Sequence, residues 1–161
     1  MPDGANDLRL IAFRLGSETF VVDIMSVRQI IPYGGSTAVP TAPSFVEGVI
    51  VVRNEVVPIV DLRSRLYPDL ADSDSRRLVL ITHSMAGTIG MKVDAVRRII
   101  NVPRQSLLAP PPLVRGIRGD LLIAIIPHGE EVFLLIDLEA VLSAGERVEL
   151  ADSRKRMKAG G

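Results

Sequence analysis

The sequence contains no cysteine and no tryptophan among its 161 residues, and aromatic residues make up only 4% of it. The lack of cysteine excludes disulfide bonds and metal sites that are built from thiolates. Because aromatic residues are scarce, the core must be assembled from aliphatic side chains. Hydrophobic residues make up 47% of the chain, and most of them are Val, Ile and Leu. This composition favours β-strands that are buried by aliphatic packing.

An excess of charge of either sign is also lacking, since 19 basic residues balance 19 acidic ones. Nucleic-acid-binding proteins usually carry a basic surplus or a basic stripe, so no nucleic-acid partner is expected. No apolar run reaches the roughly 18 residues of a membrane-spanning helix, and the N-terminus lacks the apolar core of a signal peptide. We therefore expect a cytoplasmic protein that does not insert directly into a membrane.

The most informative feature that is present is an internal repeat. Residues 27–31 (VRQII) return as residues 96–100 (VRRII), and residues 59–62 (IVDL) return as residues 135–138 (LIDL). Two copies of about 70 residues predict two similar subdomains, because a solenoid needs at least about three stacked units. Each copy alone would bury too little surface to fold well, so the copies are expected to share a hydrophobic core.

Short apolar stretches separated by turn residues predict strands that pair as hairpins. Four hairpins are expected, formed by residues 8–15 with 19–22, 49–52 with 56–60, 78–82 with 88–93, and 121–126 with 132–136. Only a few short helices are expected, such as the turn at residues 24–27 after Asp23 and the segments 62–66 and 138–143. The pattern predicts an all-β fold of two small barrels.

The domain organisation follows from the same pattern. One domain is expected to span residues 8–150, with the boundary between its two pseudo-repeated halves in the polar loop near residues 68–76. An intertwined arrangement of the halves is left open. Residues 1–7 and 151–161 are expected to be flexible termini.

Apolar positions in the strands also predict the core. The side chains expected to face inward are Val49, Ile50, Val57 and Ile59 in the first barrel, and Ile123, Ile125 and Leu135 in the second.

Four aspartates end apolar strands at corresponding points of the two copies, and they are the first candidates for acid–base catalysis: Asp23, Asp61, Asp94 and Asp137. Each precedes a short apolar segment, where the N-cap of a helix belongs, so capping is the favoured interpretation. A small enzyme that uses these carboxylates is kept as an alternative. No glycine-rich phosphate loop, nucleophile motif or close set of metal ligands is present, so we expect no catalytic site, no cofactor and no metal.

Arg53 lies between two strongly apolar strands, and its role has two interpretations. In the first, it is an exposed arginine in a turn. In the second, its guanidinium group reaches a polar group near the first helical turn, with Gln29 as the candidate partner. The spacing alone does not choose between them.

Several segments resemble the CheW-like domain family. Residues 15–30 (LGSETFVVDIMSVRQI) are similar to the family pattern LGxExYxIDIxxVxEI, and residues 39–50 (VPTAPSFVEGVI) to VPxxPxFVxGVI. Residues 56–63 (VVPIVDLR) are similar to IVPVIDLR, and residues 90–96 (GMKVDAV) stand where the family has VGIVVDxV. The likeness covers about residues 8–150.

The resemblance implies a fold of two five-stranded, SH3-like β-barrels that share a hydrophobic core. It also implies a non-enzymatic adaptor that couples methyl-accepting chemoreceptors to a CheA-type histidine kinase in bacterial chemosensory signalling. Its partners would be the kinase and the cytoplasmic tips of the receptors, in membrane-associated arrays. The resemblance places receptor-binding residues at Val27, Gln29, Ile30, Arg53 and Asn54.

The chain departs from the family pattern at the implied receptor surface. The family sequence Asn-Leu-Arg-Gly is here Val51-Val52-Arg53-Asn54, and the family glutamate of VxEI is here Gln29. A glutamate–arginine ion pair would therefore become a hydrogen bond between Gln29 and Arg53. These changes favour a divergent coupling protein, and a CheW-like module of a non-motility chemosensory pathway is kept as an alternative.

Overall fold

The computed structural model describes residues 7–62, 77–115 and 121–141, and this part of the chain is predominantly β-structure. Its strands are β1 (Asp7–Leu15), β2 (Glu18–Asp23), β3 (Val27–Pro32), β4 (Val46–Val52), β5 (Glu55–Asp61), β6 (Leu78–Ser84), β7 (Gly87–Val93), β8 (Ala95–Pro103), β9 (Leu122–His128) and β10 (Glu131–Ile136). The described helical segments are three 3-10 turns, Ile24–Ser26, Arg104–Ser106 and Leu138–Val141, and the α-helix Pro112–Arg115.

The strands form two five-stranded sheets, with the orders β8–β1–β2–β10–β9 and β3–β6–β7–β5–β4. Neighbouring strands are antiparallel except for β2 with β10 and β5 with β7, which are parallel. We call the compact unit with the first sheet unit 1 (described residues within 7–26 and 94–141), and the unit with the second sheet unit 2 (described residues within 27–93). The predicted all-β class is confirmed.

Each sheet takes strands from both copies of the repeat. Unit 1 combines β1 and β2 of the first copy with β8, β9 and β10 of the second, and unit 2 combines β3, β4 and β5 with β6 and β7. Replacing every strand by its counterpart in the other copy turns one sheet order into the other. The duplicated sequence therefore builds two sheets of the same topology by exchanging a hairpin between the copies. The expected boundary near residues 68–76 lies outside the described residues.

All four predicted hairpins are present, as β1–β2, β4–β5, β6–β7 and β9–β10. The first strand begins at Asp7, which had been assigned to the loose N-terminus; the rest of both expected flexible ends lies outside the described residues. The predicted helix at 62–66 also falls mainly outside them. The 138–143 helix is described as the 3-10 turn Leu138–Val141.

Two long-range strands were not predicted, namely β3 and β8. Val27 had been assigned to the helical turn after Asp23, but that turn ends at Ser26 and Val27 begins β3. β3 pairs with β6 and β8 pairs with β1, so both strands are defined by partners that lie far away in the sequence. Local alternation is weak in both because charged and apolar residues share their exposed faces.

In the core of unit 1, the predicted inward face of β9 is wrong. Leu135 is buried as expected, but Ile123 is 48% exposed and Ile125 is only half-buried. Ala124 and Ile126 are buried in their place. Ile123 is the additional residue of a β-bulge opposite β10, and a shift of one residue turns a strand's side chains to the other face. Because residues 121–126 are apolar throughout, the sequence contained no alternation that could reveal this shift.

The core of unit 2 agrees better with the prediction. Val57 and Ile59 are fully buried and pack with Val79 and Ile81, and Ile50 contacts this cluster from a partly buried position. Val49 is half-buried, and its backbone exchanges two hydrogen bonds with Thr37, at 2.9 and 2.8 Å.

The edges of both sheets are covered in the same manner. In unit 2, Thr37 follows edge strand β3 and bridges to edge strand β4 at Val49. In unit 1, Leu108 follows edge strand β8 and bridges to edge strand β9 at Ile125. Each bridge joins the segment after one edge strand to the other edge strand of the same sheet by two backbone hydrogen bonds. These bonds satisfy backbone groups that would otherwise invite pairing with another chain.

Candidate functional site

The repeated aspartates mostly have structural roles. Asp23 Oδ1 accepts a hydrogen bond from the Met25 N–H at 2.9 Å, and Asp137 Oδ1 accepts one from the Glu139 N–H at 2.9 Å. The capping prediction is therefore confirmed at both positions. It is wrong for Asp94, because β8 begins directly after this residue. Asp94 Oδ2 instead accepts a hydrogen bond from Gly16 N–H at 2.6 Å, in the β1–β2 turn.

Asp61 belongs to a cluster of charged side chains that the sequence analysis missed. Its Oδ2 lies 3.3 Å from Arg77 Nη1 and 3.6 Å from Lys92 Nζ. Lys92 Nζ also contacts Glu47 Oε1 at 2.5 Å. The Arg77 and Lys92 side chains are only 7% and 5% exposed. We call Glu47, Asp61, Arg77 and Lys92 the buried charge cluster; it contains two cations and two anions.

Tyr33 covers one side of the buried charge cluster. Its hydroxyl donates a hydrogen bond to Glu47 and lies 3.1 Å from the hydroxyl of Ser36, while Lys92 Nζ is 4.5 Å from the centre of its ring. Burial raises the pKa of Tyr33, and the hydrogen bond to the Glu47 carboxylate raises that pKa further. A lone lysine in the otherwise apolar strand β7 was the available signal for this cluster, because buried lysines require charged partners.

An open cleft lies on unit 2, with a volume of about 260 Å³. Its floor is aliphatic and its rim is polar. The floor consists of Val52, Val57 and Ile81, beside which Thr88 is buried, and the rim consists of Arg28, Gln29, Arg53 and Glu55. We call this the unit 2 cleft.

Local irregularities in the sheet position the two arginines of the unit 2 cleft. Val27 pairs with Thr82 and Gln29 with Ile81, so Arg28 is the additional residue of a β-bulge. Its Nη1 donates to Thr88 Oγ1 at 3.3 Å. Arg53 and Asn54 form the two-residue β4–β5 turn with φ angles of 51° and 66°, the left-handed conformation that such turns require.

The structure brings together some of the residues that the sequence singled out. Gln29 and Arg53 line the same cleft, but no hydrogen bond joins them in the described part of the chain. Val27, Ile30 and Asn54 lie on the neighbouring strand and turn and do not line the cleft; Ile30 is 39% exposed. Arg28, Glu55 and Thr88 were not predicted, although the repeat could have identified them through their counterparts.

Unit 1 carries that counterpart set as Arg97, Thr19 and Glu131. Arg97 is again the additional residue of a β-bulge, and its Nη1 donates to Thr19 Oγ1 at 2.9 Å. Its guanidinium group also binds both oxygens of Glu131, at 2.7 and 3.4 Å. The hydrogen bond from Arg97 lowers the pKa of Glu131, and the same hydrogen bond raises the pKa of Arg97.

No set of three histidine or acidic side chains that could hold a metal ion occurs within residues 7–62, 77–115 and 121–141. The helices in those ranges are all too short or too polar to cross a membrane. The described strands thus form an all-β module of two sheets built by hairpin exchange, and unit 2 carries a polar-rimmed cleft over an aliphatic floor.

Comparison with known proteins identifies the family of this module. The protein-family model of the CheW-like domain matches residues 9–146, and the chain belongs to that family. A probable chemotaxis protein CheW of Rhizobium etli is 35% identical over 140 residues, which cover 87% of this chain and 90% of that protein. The chemotaxis protein CheW of Treponema pallidum is 28% identical, with 94% and 93% covered.

Solved structures agree with this assignment. The scaffolding protein TtCheW from Thermoanaerobacter tengcongensis matches with a TM-score of 0.76 at 25% sequence identity, over 86% of this chain and 94% of that one. The resemblance seen in the sequence is thereby confirmed over most of the chain. As a member of this family, the chain is an adaptor of chemotaxis signalling.

Proposed function

We propose that this adaptor couples methyl-accepting chemoreceptors to a CheA-type histidine kinase without catalysing a reaction itself, and that the unit 2 cleft is its receptor-binding surface. The observation that supports this proposal is the position of Gln29 and Arg53. The family resemblance assigns both residues to receptor binding. Gln29 lies on β3 and Arg53 in the β4–β5 turn, yet both line one cleft.

The composition of the unit 2 cleft suits a protein partner. Val52, Val57 and Ile81 offer aliphatic surface, and the arginines above them combine long apolar stems with fixed sets of hydrogen-bond donors. Apolar centres with polar rims are typical of protein interfaces, in which arginine is enriched. Val27 and Ile30 lie beside the cleft on β3 and would extend the contact.

The non-enzymatic part of the proposal is supported by what the aspartates do. Asp23 and Asp137 cap 3-10 turns, Asp94 binds a backbone N–H, and Asp61 contacts two buried cations. Each carboxylate is thus engaged in a structural contact. In the cell, the adaptor would be recruited to membrane-associated receptor arrays through its two partners.

The receptor assignment can be tested by measuring binding with isothermal titration calorimetry. The titrants would be the cytoplasmic fragment of a methyl-accepting receptor from the same cell and, separately, the regulatory domain of the kinase. Val27→Glu places a charge beside the apolar floor and should weaken receptor binding without unfolding the protein. Arg104→Ala, at an exposed position of unit 1, is the control.

The proposal requires that wild-type protein and the control bind the receptor fragment equally well and that Val27→Glu binds it more weakly. Circular dichroism should show the same fold for all three proteins. Equal receptor binding by Val27→Glu would remove the cleft from the receptor surface. A wild-type chain that bound neither the receptor fragment nor the kinase domain would contradict the coupling role itself.

A further inference from the structure

We infer that the unit 2 cleft binds a carboxylate side chain of the receptor, held by Arg28 and Arg53, with the aliphatic neighbours of that acidic residue packed on the cleft floor. This inference rests on the proposed function and specifies the chemistry that the cleft recognises. It follows from three observations on the described residues: an internal precedent, a backbone conformation and a balance of charge.

The internal precedent is the arginine at the same bulge of unit 1. Arg97 Nη1 donates both to the hydroxyl of the buried Thr19 and to Glu131 Oε1 at 2.7 Å, and Arg97 Nη2 donates to Glu131 Oε2 at 3.4 Å. Two parallel hydrogen bonds to one carboxylate are among the stronger polar contacts in proteins. The same scaffold thus already binds a carboxylate at this position.

Arg28 is presented in the same manner on unit 2. The hydroxyl of Thr88, which is only 3% exposed, accepts a hydrogen bond from Arg28 Nη1 and restrains that guanidinium group at the edge of the cleft. Because one side of the fork is held by a neutral hydroxyl, the remaining donors can serve an anion without further loss of rotamer freedom.

The backbone of Arg53 gives the second observation. Arg53 has φ 51°, whereas the corresponding first residue of the β9–β10 turn in unit 1 is Gly129, with φ 64°. Residues other than Gly, Asn and Asp are uncommon in this conformation, because the Cβ of an L-amino acid crowds the backbone. Glycine would suit the turn better, so the arginine side chain serves something other than the turn.

The balance of charge gives the third observation. Arg28 and Arg53 contribute two positive charges to the lining, Glu55 contributes one negative charge, and Gln29 contributes none. Neither the Arg53 nor the Gln29 side chain forms a hydrogen bond with another residue of the described part of the chain. An acidic side chain of the partner would neutralise the surplus positive charge, while a basic one would add to it.

The experiment is a double-mutant cycle, measured by isothermal titration calorimetry with the full chain and the receptor cytoplasmic fragment. The chain variants are Arg28→Gln and Arg53→Gln, with Arg104→Gln as a control that removes the same charge from unit 1. In the receptor fragment, each acidic residue of the hairpin tip is changed singly to its amide. We expect Arg28→Gln and Arg53→Gln each to bind about tenfold more weakly, because charge-assisted hydrogen bonds are lost.

One receptor acidic residue should show the same loss when changed to its amide, and its combination with Arg53→Gln should cost little more than either change alone. Arg53→Gly separates binding from folding: it should weaken binding as Arg53→Gln does, yet leave the melting temperature equal or higher, because glycine relieves the left-handed turn. Gln29→Glu should also weaken binding, by offering the arginines a second carboxylate within the chain besides that of Glu55.

The inference is overturned if wild type binds the receptor fragment and both arginine variants bind it as tightly as Arg104→Gln. It is also overturned if no receptor carboxylate couples to Arg28 or Arg53. Both results would leave the receptor role of the cleft intact. Failure of the wild-type chain to bind the fragment would instead contradict the proposed function, so the two failures are distinguishable.

Discussion

Arg28 and Arg97 occupy the same position in the two sheets, each as the additional residue of a β-bulge. The Nη1 atom of Arg28 donates to Thr88, and that of Arg97 donates to Thr19. The two arginines differ in their acidic partner, since Arg97 binds the Glu131 carboxylate of its own unit. Both copies of the repeat therefore place an arginine at a β-bulge and hold it by a threonine hydroxyl. In unit 1 this arginine binds Glu131, whereas in unit 2 it lines the cleft.

The first prediction concerns the Arg97–Glu131 pair. The hydrogen bond from Arg97 lowers the pKa of Glu131, so NMR titration should give this carboxyl group a pKa below that of an ordinary glutamate. Arg97→Gln should raise the pKa of Glu131 again. The contribution of the pair to stability should be complete above the unfolded pKa and disappear as the pH falls through the lower folded pKa. A Glu131 pKa that does not respond to Arg97→Gln would mean that the pair does not persist in solution.

The second prediction separates two aspartates of the repeat. Asp61→Asn removes the carboxylate that contacts both Arg77 and Lys92, so we expect it to lower the free energy of unfolding by about 3 kcal/mol, as breaking a buried pair usually does. Asp137→Asn should change stability by less than about 1 kcal/mol, because asparagine is also a good N-cap. Urea denaturation of both variants measures the difference, and equal effects would contradict these assigned roles.

The third prediction tests the packing between β5 and β7 at Gly90, which pairs with Ile59. A Cβ atom on residue 90 would lie 2.6 Å from Ile59 Cδ1 and 2.7 Å from Val79 Cγ1. Overpacking of this kind typically costs about 1–3 kcal/mol, so Gly90→Ala should lower the melting temperature. Gly34→Ala is the matched control, because no atom lies within 4 Å of a Cβ there. If Gly90→Ala and Gly34→Ala had the same melting temperature, residue 90 would not lie as close to Ile59 and Val79 as described.

The fourth prediction concerns Tyr33. In a Tyr67→Phe background, which leaves Tyr33 as the only tyrosine, ultraviolet titration should show a pKa above that of free tyrosine. Glu47→Gln should lower this pKa, because the carboxylate favours the protonated hydroxyl. Since the folded pKa is raised, the associated stability is present below the unfolded pKa and is lost as the pH rises through the folded value. If Glu47→Gln left the pKa of Tyr33 unchanged, the hydrogen bond between Tyr33 and Glu47 of the buried charge cluster would be contradicted.

The sequence predicted the features that depend on neighbouring residues. Each hairpin is local, with its turn residues lying between two apolar runs, and the Asp23 and Asp137 caps need only the next two residues. The family resemblance supplied Gln29 and Arg53, and the structure places both in the unit 2 cleft.

Other features were missed because they depend on distant partners or on local irregularities. β3 and β8 exist through pairing with the other copy of the repeat, and the apolar run that contains β9 has no alternation that could reveal its bulge at Ile123. The contacts of Lys92 join residues from separate strands, which no local pattern reveals. Arg28 was overlooked because an arginine on an exposed strand is ordinary; its bulge and its threonine partner make it distinctive.

The most direct test of the coupling role is a reconstitution with receptor-containing membranes and the CheA-type kinase. The rate of kinase autophosphorylation would be measured with and without this chain, and with and without receptor stimulus. We predict that the receptors change the kinase rate only when the chain is present, and that Val27→Glu reduces this control. A kinase rate that responds to the receptors equally well without the chain, or that never responds in its presence, would contradict the coupling role.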